Sequence, residues 1–426
     1  MSLAERDEIL AAVAAEQGAT EQVLIDLVQA PTLLGDEGPG QEVMRAAFAD
    51  LGLEPRDVPL DPEALREHAG ASPFSWGVED KANVVASWGP GTGTGADAGG
   101  RSLILNGHID VVDPGPLDMW ASPPFVARRD GDWLYGRGAG DMKAGLAAIV
   151  GAVRGLRRLD LQPLAKVELQ CVVEEECTGN GAFQCVLSGR PADAVIVTEP
   201  TSLTIQTSQV GVLWFQVVVR GRPAHAGDAP IGLNAIEASH PVISALRALE
   251  AELNVAPPAP YDIYEHPINL NIGMIRGGDW PSTVAAESVL HCRLALFPGA
   301  RVDELKRRVE NTVAGAAAAL PGGFEAHVAY DGFACEGYTL EHDAPLVGAL
   351  GDAAERVIGA QPVLIASTAT TDARSFALYA GTPAVCFGPH AESIHSVDER
   401  VSLPSVLQTA QALALFIDGW CGLARG

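Results

Sequence analysis

Three apolar runs in the first half of the chain end in polar residues, and this pattern constrains the fold most strongly. Residues 102–109 read SLILNGHI, residues 166–176 read KVELQCVVEEE and residues 192–200 read ADAVIVTEP. Short apolar runs of this kind predict buried strands. Residues 141–159, between the first two runs, carry apolar side chains at helical spacing. Strands that alternate with helices predict an α/β unit, in which helices flank a central sheet.

A second pattern occupies residues 211–332. Strand-like runs lie at 211–221, 268–278, 282–297 and 324–332, and helical patterns lie at 234–253 and 301–319. The resulting order, β-α-β-β-α-β, is that of a ferredoxin-like unit. The α/β pattern resumes after it. We therefore predict a catalytic domain formed by residues 1–210 and 333–426, with residues 211–332 inserted as a second domain.

Charge and cysteine content exclude several classes of protein. The chain has 426 residues and a formal net charge of −26, which disfavours nucleic acid or an anionic membrane surface as a partner. Its seven cysteines are odd in number and contain no CxxC pair, so they predict reduced thiols and a cytoplasmic location. No signal peptide or membrane-spanning run is evident.

Polar side chains with metal-binding chemistry collect where the predicted strands end. They are His108 and Asp110 after the first run, Asp141 at the start of the helix, Glu174, Glu175 and Glu176 after the second run, Glu199 after the third, and His395 in a late loop. Ligands in α/β proteins bind outside the carboxyl ends of the strands. Histidine and carboxylate ligands suit a zinc-type site, and Asp141 at a turn is placed to bridge two metal ions.

Each of these residues also has a purely structural interpretation. A lone histidine such as His108 is more often a core or surface residue, and Asp141 is also a suitable helix N-cap. Glu199 followed by Pro200 is also typical of a simple strand end. The metal-site prediction therefore depends on the set as a whole.

Several sequence blocks resemble the co-catalytic zinc amidohydrolases, the family that includes acetylornithine deacetylase, succinyl-diaminopimelate desuccinylase, aminoacylases and glutamate carboxypeptidases. The blocks are GHIDVVDPG, YGRGAGDMKAG, EEECTGNGA, VTEPT, GRPAHAG, TTDAR and GPHAESIHSVDE, in family order. The stretches SPFSWGVEDKANVV, HPINLNIG and GGDWPSTV are most similar to the acetylornithine deacetylase-like branch. The resemblance implies a zinc-exopeptidase-like catalytic domain and an inserted dimerisation or lid domain.

Family positions imply roles for the individual residues. His108 and Glu199 match the ligands of one metal ion, Glu176 and His395 those of the other, and Asp141 the bridging carboxylate. Glu175 matches the general base. Asp110 matches a carboxylate that orients His108.

The inserted domain carries three further matches. His225 matches a histidine that reaches into the active site of a partner subunit and stabilises the oxyanion, which implies a homodimer paired through this domain. Arg293 matches a residue that binds a substrate carboxylate, although a surface strand charge is an equal alternative. Asn234 is either a substrate contact or only a helix N-cap.

Several positions depart from the family pattern, among them Ser282, Ala285 and His390. Ser282 and Ala285 stand where many relatives have the Asn and Pro of N-x-x-P. His390 stands where Gly is frequent; it either contacts substrate or lines its loop, and we favour the loop.

The predicted activity is removal of an acyl group from an N-acyl amino acid or related small amide. Two divalent cations are implied, with zinc expected and cobalt or manganese as alternatives. A dipeptidase or carboxypeptidase on the same scaffold is the nearest alternative. A non-catalytic binding protein with a decayed site is the remote one, since it predicts missing ligands.

Overall fold

A computed structural model describes residues 3–90, 99–320 and 322–425 of the chain. Within these ranges the helices are α1 Leu3–Ala15, α2 Gln17–Gln29, α3 Gly38–Asp50, α4 Pro62–Glu67, α5 Ala144–Arg158, α6 Asn180–Ser188, α7 Ala235–Leu253, α8 Val302–Ala318, α9 Pro345–Ile358, α10 Ala373–Ser375 and α11 Leu403–Cys421. No helix in the described ranges is long and apolar enough to cross a bilayer.

The strands form two main sheets and two small ones. They are β1 Arg56–Pro59, β2 Ala82–Trp88, β3 Leu103–His108, β4 Arg128–Asp130, β5 Trp133–Tyr135, β6 Leu161–Pro163, β7 Val167–Val172, β8 Ala194–Val197, β9 Ile205–Gln209, β10 Gly211–Arg220, β11 Leu270–Gly277, β12 Glu287–Leu296, β13 Glu325–Ala329, β14 Ala334–Cys335, β15 Tyr338–Thr339, β16 Leu364–Ser367, β17 Ala384–Cys386, β18 Ala391–Glu392, β19 Arg400–Ser402 and β20 Leu423–Arg425.

The larger sheet is mixed. Among the described residues its strand order is β1-β2-β7-β3-β8-β17-β9-β15, with β16 beside β9. The central strands β7, β3, β8 and β17 run parallel, whereas β1 and β2 are antiparallel additions at one edge. Strands β3, β7 and β8 are buried along their whole length, as expected for a sheet covered by helices on both faces.

Helix α5 packs tightly on the sheet because small residues let the backbones approach. Its apolar side chains are nearly all buried, and α1, α2 and α11 pack against it. A β-carbon at Gly145 would lie 2.0 Å from the carbonyl oxygen of Thr198. The glycine therefore fixes how closely the start of α5 approaches the end of β8.

The second sheet is fully antiparallel, with the order β11-β12-β10-β13 and β14 beside β10. Helices α7 and α8 pack on it around a separate apolar core. The chain order β10-α7-β11-β12-α8-β13 is the predicted ferredoxin-like order. The predicted fold class, a mixed α/β unit with an inserted ferredoxin-like unit, is thus confirmed; the exact boundaries at 210 and 332 stay predictions.

Parallel pairing brings the predicted site together. Because β7, β3 and β8 run in the same direction as neighbours, their carboxyl ends meet at one edge of the sheet. Residues 108–110, 174–176 and 199 follow these three ends directly. The second sheet supplies the opposite wall of the cavity at this edge.

Candidate metal centre

Two clusters of histidine and carboxylate side chains lie at this edge, and they share Asp141. The first contains His108, Asp141 and Glu199, and the second contains Asp141, Glu176 and His395. Within each cluster the possible ligand atoms all lie within 4.8 Å of one another. The structure therefore brings together all five residues that the sequence predicted as metal ligands.

Asp141 offers one carboxylate oxygen to each cluster. Its Oδ1 lies 3.3 Å from His108 Nε2, and its Oδ2 lies 3.4 Å from His395 Nε2. His395 Nε2 is also 3.2 Å from Glu176 Oε2, and His108 Nε2 is 3.9 Å from Glu199 Oε2. Such an arrangement suits a carboxylate that bridges two cations.

The donor set fits divalent metal ions. Nitrogen and oxygen ligands in this number are those that zinc, cobalt and manganese accept. Glu176 Oε1 is buried and has no hydrogen-bond partner among the described residues, which is costly for a carboxylate oxygen unless a cation or donor satisfies it. These residues would hold two ions, one in each cluster.

The pKa values of the cluster residues reflect the crowding of their carboxylates. Burial raises the pKa of Glu199 well above its ordinary value, and the carboxylate of Asp141 adds to this against the opposing effect of His108. Hydrogen bonds to Asp141 and Glu176 raise the pKa of His395 to about 11. Cations bound in the two clusters would offset this crowding of carboxylates.

Glu175 lies beside the clusters without belonging to either. Its Oε2 is 3.9 Å from His108 Nε2, and its carboxylate lines the cavity. Burial raises the pKa of Glu175 well above its ordinary value; His108 opposes the shift, while the carboxylates of Asp372 and Glu199 reinforce it. A buried carboxyl with a raised pKa next to a metal site has the properties of a general base.

Asp110 meets the ring of His108 through its backbone carbonyl more closely than through its carboxylate. Its carboxylate is 3.8 Å from His108 Nδ1, and the backbone carbonyl of Asp110 is the group that meets Nδ1, at 2.9 Å. The carboxylate instead accepts hydrogen bonds from the backbone N–H groups of Glu175 and Glu176, at 3.1 and 2.9 Å. Asp110 therefore orients Glu175 and Glu176, because the end of β3 lies beside the end of β7.

Glu174 belongs to a different buried group. Its carboxylate accepts hydrogen bonds from Lys81 Nζ at 2.8 Å, Trp76 Nε1 at 2.7 Å and Thr178 Oγ1 at 2.9 Å. Lys81 also pairs with Glu37, at 2.7 Å. Glu174 thus faces away from the metal clusters and anchors the turn that carries the next two glutamates.

Sequence reasoning missed Glu399, which holds Asp141 in place. Its carboxylate accepts hydrogen bonds from the backbone N–H groups of Gly138, Gly140 and Asp141, and from Arg137 at 2.6 Å. The only available signal was its position four residues after His395, within the motif HSVDE. Support of this kind fixes the orientation of a ligand.

A cavity of about 390 Å³ separates the clusters from the second sheet. Glu175, Glu176 and His395 line one side of it, and Arg293 lines the other. The Arg293 guanidinium donates one long hydrogen bond, 3.4 Å, to the carbonyl of Thr368. Its position facing the cavity favours the substrate-binding interpretation of Arg293 over that of a surface charge.

His225 and Asn234 lie outside this cavity. His225 is exposed in the loop after β10, and its Nδ1 accepts a hydrogen bond from the backbone N–H of Gly227. Asn234 caps α7, with Oδ1 accepting from the N–H groups of Ile236 and Glu237. Capping, the alternative that the sequence left open, accounts for Asn234 in this structure.

Ser282, Ala285 and His390, which depart from the family pattern, do not line the cavity either. The carbonyl of Ser282 accepts a hydrogen bond from the N–H of Ala226, and that of Ala285 accepts from Ala235. Ser282 therefore braces the loop around His225, and Ala285 braces the start of α7. His390 is held in its loop by Ser202, at 2.8 Å, and by edge contact with Trp133.

Two curated relatives with similar sequences are a deformylase and a deacetylase. The chain is 30% identical over 347 residues to N-formyl-4-amino-5-aminomethyl-2-methylpyrimidine deformylase of Halalkalibacterium halodurans, covering 76% of this chain and 80% of that protein. It is 28% identical to acetylornithine deacetylase of Proteus mirabilis, covering 80% of this chain and 83% of the relative.

Solved structures share the fold over almost the whole chain. The di-peptidase Dug1p of Saccharomyces cerevisiae matches with a TM-score of 0.79 at 14% identity, over 97% of this chain and 98% of that chain. A dinuclear metal-binding M20 peptidase of Bacillus subtilis matches with a TM-score of 0.60 at 18% identity, over 95% and 98%.

The family model for peptidase family M20/M25/M40 matches residues 104–419. This range contains every residue of the two clusters, Glu175 and the whole second sheet. Its relatives identify the chain as an enzyme of the amidohydrolase type. We conclude that this chain belongs to the M20/M25/M40 peptidase family.

Proposed function

We propose that this enzyme uses two metal ions to remove the acyl group from an N-acyl amino acid or a related small amide. The observation that supports this most directly is the shared carboxylate of Asp141, with Glu175 beside it and Arg293 across the cavity. The deformylase and deacetylase relatives support the same class of reaction.

His108 and Glu199 would hold one ion, Glu176 and His395 the other, and Asp141 both. Two divalent cations supply Lewis-acid chemistry, which polarises the substrate carbonyl and makes a water molecule more acidic. We propose zinc as the native metal, with cobalt and manganese as functional substitutes. Elemental analysis of the purified protein tests this, and fewer than two bound metal equivalents in a fully active enzyme would contradict it.

Glu175 is the proposed general base. It accepts a proton from water as the water oxygen forms a bond to the amide carbon, and it gives the proton to the nitrogen as the C–N bond breaks. The products are the free carboxylic acid and the amine. Asp110 keeps Glu175 in position, because its carboxylate accepts a hydrogen bond from the backbone N–H of Glu175.

A Glu175→Gln variant tests this assignment. It keeps the size of the side chain but cannot accept the proton, so we expect a loss of kcat of about 10²-fold or more with metal content unchanged. Glu325→Gln, an exposed change on β13, is the matched control. Wild-type turnover of N-acetyl amino acids by Glu175→Gln would refute the assignment.

A peptidase activity is the second candidate, because the fold is shared with a di-peptidase. The bond cleaved is again an amide, and only the group released differs. Comparison of N-acetyl amino acids with dipeptides on the zinc- or cobalt-loaded enzyme separates the two. A higher kcat/KM for dipeptides would favour the peptidase.

We further propose a homodimer paired through the inserted unit, with His225 acting in the partner's site. Strand β11 forms an open edge of its sheet, and large apolar side chains near it are exposed. They are Ile231, Ile236, Met274, Ile275 and Trp280. An open edge with exposed apolar residues is typical of a surface that another chain covers.

Mixing two inactive variants tests the action in trans. A dimer of one Glu175→Gln subunit and one His225→Ala subunit has one site with both residues intact. After random exchange of subunits we expect about a quarter of wild-type activity, since half the dimers are mixed and each has one working site. No recovery, with mixed dimers shown by mass spectrometry, would refute action in trans.

The cysteines support the proposed cytoplasmic location. All seven are buried free thiols, and they act as small core residues. Cell fractionation tests the location.

A further inference from the structure

The wall of the cavity opposite the metal clusters is a regular face of the second sheet. Trp214 on β10 is the cross-strand partner of Arg293 on β12, and Arg293 is in turn the partner of Asn271 on β11. All three line the cavity. Because side chains on one face of a sheet stand side by side at such positions, a group bound next to Arg293 meets either Trp214 or Asn271.

Trp214 presents a fixed apolar surface at this point. Its ring packs edge-on against Phe333, with centroids 5.4 Å apart, and its backbone N–H donates to the Phe333 carbonyl at 2.7 Å. A β-carbon at Gly332, where φ is +90°, would lie 2.5 Å from the indole. Phe333 and the backbone at Gly332 therefore fix the position of the indole ring. Val112, Val212 and Met274 extend the apolar lining of the cavity.

The described lining of this cavity offers few charged groups that could pair with a charged side chain of the substrate. Outside the metal clusters and Glu175, Asp331 is the acid among the described lining residues, and its Oδ2 already accepts from Ser75 at 2.6 Å. Burial, together with the charge of Arg276, lowers the pKa of His291. Outside the metal clusters, Arg293 is thus the one lysine or arginine in the described lining. Its match to a carboxylate-binding position makes it the partner that we propose for the α-carboxylate of the substrate.

We propose that the site selects N-acyl amino acids with a bulky apolar or aromatic side chain, which packs against Trp214 and Phe333 beside the carboxylate bound by Arg293. This inference rests on the proposed function. It separates the chain from a deacylase for cationic substrates, because an ornithine side chain packed against these two rings would place its ammonium group on an apolar surface, where it loses water.

A substrate series tests the proposal on the metal-loaded wild-type enzyme. The probes are the N-acetyl derivatives of phenylalanine, leucine, alanine, glutamate and ornithine. We expect kcat/KM for phenylalanine and leucine to exceed that for alanine and ornithine by about 10-fold or more, the effect of filling an apolar pocket. Equal or faster hydrolysis of the ornithine or glutamate derivative overturns the proposed selectivity and leaves the deacylase function standing.

A Trp214→Ala variant assigns the selectivity to this wall. It should lower kcat/KM for N-acetylphenylalanine by about 10-fold and leave N-acetylalanine within about 2-fold. Ile263→Ala, an exposed apolar truncation in the same unit, should change neither. An equal loss on both substrates would contradict the proposal. If Trp214→Ala fails to fold, the wild-type series decides alone; hydrolysis of no N-acetyl amino acid would refute the proposed function itself.

Discussion

Replacement of Lys81 by methionine should destabilise the catalytic unit more than any change to a surface charge. Lys81 Nζ lies 2.7 Å from Glu37 Oε1 and 2.8 Å from Glu174 Oε1, and the three side chains are at most 7% exposed. Methionine keeps the apolar stem and removes only the cation. Two buried carboxylates would then face each other without a counter-charge.

The size of the effect follows from that arrangement. Removal of one partner from a buried ion pair costs about 3–5 kcal/mol, because the remaining charge is left uncompensated. Glu174 retains its hydrogen bonds from Trp76 and Thr178, so we expect the lower half of this range, about 3 kcal/mol. The turn it anchors is also strained, since Glu174 has a left-handed backbone with φ of 63°.

Urea denaturation of the metal-free protein, followed by tryptophan fluorescence, measures the change in the free energy of unfolding. The fluorescence of Trp76 reports on unfolding around Glu174, because its indole N–H donates a hydrogen bond to the Glu174 carboxylate. The double variant Lys81→Met/Glu174→Gln should recover about 1 kcal/mol or more, since the two residues interact directly. Lys306→Met is the control, because among the described residues the Lys306 ammonium lies 4.0 Å from Asp303 and over the ring of Tyr330, with no buried carboxylate beside it. A loss below about 1 kcal/mol for Lys81→Met would refute the reasoning.

Two further predictions concern stability. Gly145→Ala should lower the free energy of unfolding by more than about 2 kcal/mol, because its β-carbon would lie 2.0 Å from the Thr198 carbonyl oxygen. Gly315→Ala, in open space on α8, should instead raise it by about 0.4–1 kcal/mol. Equal effects of the two substitutions in thermal denaturation would contradict this prediction. Burial alone would raise the pKa of Glu250, but hydrogen bonds from Arg247, the Leu270 N–H and His266 outweigh it and lower the pKa. A lowered folded-state pKa gives stability that is present above the unfolded pKa and lost as the pH falls through the folded value. Glu250→Gln should therefore destabilise the inserted unit at pH 7 and approach wild-type stability below about pH 4, as measured by urea midpoints; a pH-independent difference would contradict the linkage.

Periodicity along the chain predicts the helices and strands, and it predicts the edge of the sheet where the candidate site residues lie together. Apolar runs that end in His108, in Glu174–Glu176 and in Glu199 and alternate with helices predict an α/β sheet, and ligands of such sheets bind outside the carboxyl ends of the strands. The order of elements in residues 211–332 likewise predicts the ferredoxin-like unit. These features are local in the chain, because they depend only on periodicity and on where each run stops.

Tertiary structure alone decided what each side chain contacts. The carboxylate of Asp110 holds the backbone of Glu175 while its carbonyl meets the ring of His108. Glu399 reaches Arg137, 262 residues away, and supports Asp141. The pairing of Trp214 with Arg293 depends on the register of two strands that are separated by a helix and a third strand. Contacts of this kind follow from side-chain direction, register and packing between distant segments, and periodicity along the chain carries no information about them.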